Sequence, residues 1–203
     1  GFEEVEINNR GKVIRKLREQ PATAGKSIHL TIDLALQRYI MSLLSGQKGA
    51  VVVLDPKDNS VLAMVSTPSY DNNLFVDGIS ASDYKRLLDD PARPLYSRAT
   101  QGVYPPASTV KPFVAVAALT EGVITPHTTI FDPGYWMLPN STKRFRDWKK
   151  SGHGYTDLNK AITESSDTFF YQTAFNLGID RFSMWMKRFG FGMPTGIEIQ
   201  EEA

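Results

Sequence analysis

A serine three residues ahead of a lysine can act as a nucleophile with its own base, because on a helix the two side chains lie on one face, one turn apart. The sequence holds three such tetrads: Ser45-Gly-Gln-Lys48, Ser82-Asp-Tyr-Lys85 and Ser108-Thr-Val-Lys111. The pattern alone is weak, since average composition yields it about once per 200 residues. Context separates the three. Ser45 closes a helix in a polar, Gly-bearing turn, and Ser82 opens a short charged helix. A lysine in water at either place is protonated and useless as a base. Ser108 follows Tyr104-Pro105-Pro106 and precedes Pro112-Phe-Val-Ala-Val-Ala-Ala-Leu119, apolar nearly all round and therefore expected to be buried. Burial disfavours an ammonium ion, so Lys111 is the lysine suited to take a proton from its serine. The N–H groups opening the same helix face the charge that would develop on an attacked carbonyl. Read without chemistry, the tetrad is a serine helix cap with a lysine in the first turn.

A serine acyl-transfer site of this kind needs a second hydroxyl to relay a proton between the lysine and the leaving group. Ser165-Ser166-Asp167 follows the tetrad at a break inside a helical region and fits that need. Its plain alternative is a helix cap by Ser165 or Asp167. Ser69-Tyr70-Asp71 precedes the tetrad and is set aside on chain order. A Lys-Thr/Ser-Gly strand should come after the second motif. The single Lys-Ser-Gly, Lys150-Ser151-Gly152, comes before it, in loop composition without strand alternation, and is rejected. The third motif strand is thus expected to be missing from these 203 residues.

The elements that must position these groups are legible in outline. Val5 and Ile7, a turn at Asn8-Asn9-Arg10-Gly11, and Val13, Ile14 and Leu17 predict a two-stranded ribbon. Gln20 to Gly25 is a connection, and Ser27–Ile32 reads as extended. Asp33 caps a predicted helix with Leu36, Ile40, Leu43 and Leu44 on one face. Ala50–Leu54 and Val61–Val65 predict a hairpin across Asp55-Pro56-Lys57-Asp58-Asn59-Ser60, its first strand apolar enough for burial on both faces. A short helix is predicted from Ser82 and the strongest one from Ser108 to Leu119, closed by Gly122. Residues 125–157 show little periodicity. Helices return over Asp157–Leu177, broken near Ser165, and over Asp180–Phe189. The alternation Ile197-Glu198-Ile199 reads as the start of a strand.

Composition excludes several classes. Twenty-three basic against 22 acidic residues leave a formal charge of +1, without the excess of a nucleic-acid-binding surface. No apolar run approaches the length of a membrane span, and the absence of cysteine leaves the redox compartment undecided, because oxidising space permits disulfides without requiring them. A closed globule of this length would bury about 70% of its unfolded surface, enough for a core without staples.

Leu54-Asp55-Pro56 with Val61-Leu-Ala-Met-Val-Ser-Thr-Pro-Ser-Tyr-Asp71, and Arg98-Ala-Thr-Gln-Gly-Val-Tyr-Pro-Pro-Ala-Ser-Thr-Val-Lys-Pro112, resemble the opening strands and active-site serine segment of the penicillin-binding transpeptidase domain. Asn73-Leu-Phe-Val-Asp-Gly-Ile79, Arg146-Asp-Trp-Lys-Lys150 and Gly152-His-Gly154 narrow the resemblance to the penicillin-binding protein 2 group of class B enzymes, which serve rod-shaped cell elongation. The resemblance runs over nearly the whole chain. It implies an α+β, serine β-lactamase-like fold: an antiparallel sheet flanked by helices, plus a helical subdomain, truncated here before the third motif strand. Residues 1–26 would end an N-terminal linker or pedestal domain, and 27–203 would begin the transpeptidase domain.

The implied activity is peptidoglycan D,D-transpeptidation, with Ser108 acylated, Lys111 its base and Ser165 the second-motif hydroxyl. Asp167 stands where many members have Asn. Implied partners are stem peptides ending in D-Ala-D-Ala, β-lactam antibiotics, and the membrane glycosyltransferase of the elongation complex with its periplasmic activator. The implied location is the periplasmic side of the bacterial inner membrane, through an anchor outside this sequence. Acyl transfer itself needs no cofactor. Some members hold zinc beside the site through two Asp, one His and one Cys; the matching positions are Asp132, Asp147 and His153, with Ser166 in the place of Cys. A serine β-lactamase, a β-lactam sensor and a non-catalytic docking module are the competing readings. The basic run Lys143-Arg144-Phe145-Arg146 with Lys149-Lys150 reads as a solvated loop or as a contact for an anionic glycan-lipid substrate.

Overall fold

The computed structural model describes residues 1–76 and 78–199. The chain divides into two compact units, Gly1–Thr67 and Pro68–Ala203. In the first, β1 (Phe2–Ile7) and β2 (Val13–Gln20) form the predicted antiparallel ribbon, closed where the Asn8 side chain accepts from the Arg10 and Lys12 N–H groups. Residues 27–32 run extended without joining a sheet. Thr31 donates its hydroxyl to the Val61 carbonyl, which lays this segment beside the next hairpin.

Asp33 caps α1 (Leu34–Leu43) by accepting from the Leu36 N–H at 3.0 Å. The hairpin of β3 (Gly49–Leu54) and β4 (Val61–Thr67) is antiparallel, and α1 packs on one of its faces. Ile40, Ala63 and Val65 are the buried centre of that contact, with Leu36 and Leu44 against them. Leu43 lies off this face and is exposed. Gln37 fixes the helix to β4 by giving a hydrogen bond to the Met64 carbonyl and taking one from its N–H. Contrary to the two-sided burial expected of β3, Val52 and Leu54 remain 45% and 49% exposed. Within these residues α1 covers only one face, so side-chain alternation leaves every second residue open.

The second unit holds the larger core. After a 3-10 turn at Asn72–Phe75, α2 (Ala81–Asp89) starts under the Ser80 cap, one turn residue earlier than the sequence pattern predicts. A single 3-10 turn, Ala107–Val110, carries Ser108 and leads into α3 (Lys111–Thr120). Pro112 is harmless there because its missing N–H belongs to the first, unpaired turn. Ala115, Ala117 and Ala118 are small enough for α3 to approach α5 (Asp167–Leu177) and α6 (Ile179–Arg188) closely, and Phe169, Phe170, Leu177, Trp185 and Met186 fill the junction. α3 is not buried all round, however: Val116 is 47% exposed.

Residues 125–157, unpatterned in sequence, form two short antiparallel pairs. β5 (Ile130–Asp132) pairs with β8 (Gly154–Thr156), and β6 (Tyr135–Met137) with β7 (Arg144–Arg146). Strands of three residues are too short for an alternation to show. Between them the Asp132 and Lys150 loops pass so closely that a Cβ at Gly134 would strike the Lys150 carbonyl, and one at Gly152 the Asp132 carbonyl; both glycines also have φ above +70°. The Lys150-Ser151-Gly152 tripeptide therefore serves a loop crossing, not a motif strand. α4 (Leu158–Thr163) starts under the Asp157 cap. Residues 197–199 form no strand.

Phe169 is the largest fully buried side chain. Phe169→Ala should lower unfolding stability by about 3–5 kcal/mol, whereas Ile179→Ala, at an exposed helix start, should stay within about 0.5 kcal/mol. Denaturant melts of the two variants check this difference.

Candidate active site

Helix α4 stops at Thr163, and α5 begins four residues later; the break between them turns Ser165 toward α3. Its N–H donates back to the Ile162 carbonyl and that of Ser166 to the Ala161 carbonyl, so the chain doubles over tightly. Ser165 takes a left-handed backbone, φ 56°, and Ala107, directly before Ser108, does the same at φ 48°. Left-handed geometry is costly for residues with a Cβ and clusters where side chains must be aimed. Here it falls beside each of two hydroxyls that meet: Ser165 Oγ lies 3.0 Å from Ser108 Oγ.

Lys111 occupies the first turn of α3 and is 7% exposed. Its Nζ reaches three acceptors: the Ser165 carbonyl at 2.7 Å, Ser165 Oγ at 3.0 Å and Asp167 Oδ1 at 2.6 Å. Three donors therefore meet three acceptors, which is what lets a lysine sit in the interior. The Phe170 ring lies 5.8 Å from the same nitrogen. Ser108 Oγ, Ser165 Oγ and Lys111 Nζ form a continuous chain, with the second-motif hydroxyl as the middle link. The sequence expectation joined Lys111 to Ser108 by helical spacing alone; the structure adds Ser165 between them.

Behind this chain lies a polar cluster sealed from solvent. Asp132, Asp147, His153 and Ser166 are all buried. Asp147 Oδ2 accepts from the N–H groups of Asp167 at 2.7 Å and Thr168 at 3.0 Å, so this carboxylate satisfies the opening of α5. A negative charge at a helix start is stabilising. Ser166, not Ser165 or Asp167, is the side-chain cap of α5, accepting from the Phe169 N–H at 3.3 Å. Its single hydroxyl hydrogen faces two carboxylates, Asp132 Oδ2 at 3.1 Å and Asp147 Oδ2 at 3.3 Å. His153 Nδ1 sits 2.6 Å from Asp132 Oδ2 and 3.6 Å from Asp147 Oδ1. Burial alone would push the Asp132 carboxyl up, but hydrogen bonds with His153, the Gly134 N–H and Ser166 outweigh it and bring it down to about 2.

Metal-ligating atoms of Asp132, Asp147 and His153 lie within 4.8 Å of one another. His153 Nε2 is buried and has no hydrogen-bond partner among the described residues. Two buried carboxylates and an imidazole are ligand types that zinc accepts, and the Ser166 hydroxyl lies beside them. The sequence reading thus gathered residues that the fold does bring together: Ser108, Lys111, Ser165 and Asp167 in the cleft, Asp132, Asp147, His153 and Ser166 behind it.

Three contributors escaped it. Trp148 donates its N–H to Asp167 Oδ2 at 3.3 Å and its indole N–H to the Glu164 carbonyl at 3.0 Å, closing the loop over the break. Its ring meets that of His153 edge-on at 5.5 Å. Lys160 donates to the His153 carbonyl at 2.6 Å and so ties α4 to the cluster. Glu164 Oε2 stands 3.9 Å from His153 Nε2. The adjacency of Trp148 to Asp147 was the only available signal.

Comparison with known proteins agrees with this geometry. Residues 49–203 match the family described as the penicillin binding protein transpeptidase domain. The chain is 87% identical over 202 residues to the peptidoglycan D,D-transpeptidase MrdA of Haemophilus influenzae, matching 100% of this chain but 31% of that protein. Among solved structures, it is similar to Pseudomonas aeruginosa PBP2 in complex with WCK 5153, with a TM-score of 0.82, 50% identity, and coverage of 86% of this chain and 40% of that one. It is also similar to PBP2 in a complex with MreC from Helicobacter pylori, with a TM-score of 0.83, 33% identity, and coverage of 99% and 37%. The chain spans about a third of the curated relative's length. With the family match covering most of its residues and the serine–serine–lysine chain in place, the protein belongs to the penicillin-binding protein transpeptidase family.

Proposed function

We propose that this chain supplies the acylation machinery of a peptidoglycan D,D-transpeptidase acting in cell elongation. The observation that carries this reading is the hydrogen-bonded chain Ser108–Ser165–Lys111, with Asp167 at its far end. Only the deprotonated form of Lys111 can accept a proton; that form keeps two hydrogens, for the Ser165 carbonyl and the Asp167 carboxylate, and its lone pair turns to Ser165 Oγ. Both serine hydroxyls can rotate. Ser108 then passes its proton to Ser165 Oγ as Ser165 passes its own to Lys111, and Ser108 Oγ attacks the carbonyl of the D-Ala-D-Ala bond. Lys111 then returns a proton to Ser165 Oγ as Ser165 gives its own to the departing amine, because Ser108 Oγ has by then become the ester oxygen. Terminal D-Ala leaves, the acyl group stays on Ser108, and the amine of a neighbouring stem peptide receives it. We assign one oxyanion donor to the Ser108 N–H, where the 3-10 turn opens.

Asp167 is a positioning residue that holds Lys111 in line. β-Lactams would acylate the same serine, since their strained amide meets the same nucleophile. Residues 1–26 would belong to the end of a linker domain, and the protein would work at the periplasmic face of the inner membrane. MrdA is the name of the relative in Haemophilus influenzae, and PBP2 of Helicobacter pylori was solved together with MreC. By that likeness this chain would join an elongation complex containing a membrane glycosyltransferase and a periplasmic activator.

A zinc ion bound at Asp132, Asp147 and His153, with Ser166 or water as the remaining ligand, fits the same reading. When bound it would neutralise two buried carboxylates. The ion would stand apart from acyl transfer, and Asp147 holds the opening of α5 through its own hydrogen bonds. A hydroxyl binds zinc less tightly than the thiolate found in other members.

Fluorescent penicillin should label Ser108 of the full-length protein stably, with no antibiotic turnover. Lys111→Ala should slow labelling by about 10²–10⁴-fold, and Ser108→Ala should abolish it. Labelling that persists without Ser108 would refute the assignment, and rapid release would point to a β-lactamase. For the metal, Ser166→Cys should raise the zinc content of purified protein and its melting temperature in added zinc. Elemental analysis finding no zinc in either form removes the ion from this account.

A further inference from the structure

Helix α5 begins in the cleft at Asp167 and runs away from it with an unusual outer face. Tyr171 and Phe175, one and two turns on, stay 36% and 46% exposed. Both rings meet Trp136 of β6, at 6.4 Å and 5.4 Å between centroids, and Trp136 pairs with Phe145 across the β6–β7 ribbon at 5.9 Å. The rings thus form one continuous surface, not isolated side chains. Side-chain amides line it: Gln172 accepts from the Trp136 indole N–H at 2.8 Å and donates to Asn176 Oδ1 at 2.8 Å. A cation borders it, with Lys143 Nζ 5.2 Å from the Phe145 ring centre, while Arg144 lies over Tyr135 at 4.4 Å on the other face of the ribbon. Among the described residues no carboxylate lies within ion-pair distance of Lys143, so its charge is available to a ligand.

Exposed ring faces beside side-chain amides and an uncompensated cation suit a chain of amino sugars bearing carboxylate-rich peptides. The rings meet the apolar faces of the sugars, the amides meet hydroxyl and acetamido groups, and the cation meets peptide carboxylates. Length supports one occupant over others. From Asp167 to Phe175 the helix rises about 12 Å. The four stem residues between a glycan backbone and its scissile D-Ala-D-Ala bond span about 13–14 Å when extended. A substrate with its reacting bond at Ser108 can therefore lay its sugars on the aromatic surface.

We propose that the outer face of α5 and the β6–β7 ribbon form a binding track for the glycan backbone of the donor peptidoglycan strand, with Tyr171 and Phe175 as stacking faces, Gln172 and Asn176 as amide contacts and Lys143 as the cation. This track rests on the transpeptidase reading for its substrate, but it makes its own contacts. It makes the enzyme a reader of the sugar strand as well as of the peptide.

Binding to full-length protein in which Ser108 is intact is measured with two probes, an uncross-linked tetrasaccharide bearing pentapeptides and the same pentapeptide without sugar. The tetrasaccharide should bind at least about tenfold more tightly. Phe175→Ala and Lys143→Glu, two exposed positions, should each remove about five- to tenfold of that affinity while leaving the affinity for free pentapeptide unchanged. Melting temperatures establish that both variants are folded. Folded variants that bind the tetrasaccharide like the wild type, or a wild type that binds both probes equally, would overturn the track. Penicillin labelling of the wild type is scored in parallel: labelled protein without sugar preference defeats the track alone, and unlabelled protein that still prefers the tetrasaccharide defeats the transpeptidase reading alone.

Discussion

A lysine withdrawn from water at the start of α3 sets the terms for everything around it. Removing an ammonium ion from solvent costs several kcal/mol unless partners replace the lost water. Lys111 finds all its partners in one short segment, 165–167, remote in sequence and brought near only by packing. The α3–α5 contact therefore cannot loosen without stranding a charge. Apolar packing and the polar site need the same approach of two helices, and the alanines of α3 make that approach close enough. The carboxylate at position 167 strengthens this dependence, since Asp167 Oδ1 meets Nζ at 2.6 Å as an ion pair. An amide there could offer a hydrogen bond but no opposite charge.

The segment 165–167 is itself held from behind. Asp147 accepts from two N–H groups at the opening of α5 and receives the Ser166 hydroxyl, so a buried carboxylate fixes Ser166 and the two residues that follow it. Trp148 hangs from the same loop and grips Glu164 and Asp167. The loop carrying Asp147 is anchored in turn by the Asp132–His153 contact and the glycine crossing at 134 and 152. Geometry at Ser165 is thus set by a polar layer reaching back to β5 and β8. A substitution of Gly152 would act on the cleft through this layer, although it touches neither hydroxyl.

How much of this the amino-acid sequence reveals depends on the range of the interaction. Local rules were sufficient for the Asp33 cap, the β3–β4 hairpin and the division of α4 from α5, because caps, turns and periodicity act within a few residues. They failed over 125–157. There each strand is three residues long, and pairing is decided by contacts between β5 and β8 across two intervening strands. On α3 and β3, where apolar sequence implied burial all round, Val116, Val52 and Leu54 are exposed within these 203 residues, about a third of the curated relative's length. Composition records how much a residue could bury, and the neighbours decide how much it does. At the site, residue types and order selected Ser108, Lys111, Ser165 and Asp167, and family resemblance selected Asp132, Asp147 and His153. Order gave Ser165 a relay between the lysine and the leaving group but not its bond to Ser108 Oγ, because that contact depends on a left-handed backbone at a serine.

The two left-handed residues at the site are best understood together. Ala107 and Ser165 each adopt a conformation that costs an L-residue roughly 1–2 kcal/mol, and each adjoins or carries one of the two hydroxyls that meet. A relaxed turn at either position would rotate its hydroxyl off the other. The strain at Ser165 also directs its carbonyl to Lys111, so one unfavourable backbone angle provides two of the three acceptors that make the buried ammonium tolerable. The cost of the turn and the cost of the charge are therefore not independent. The ion pair and hydrogen bonds at Lys111 hold the strained turn in place, and the strained turn makes those bonds available. Substitution of Lys111 would release the turn as well as remove the amine, so its loss falls on the position of Ser165 too.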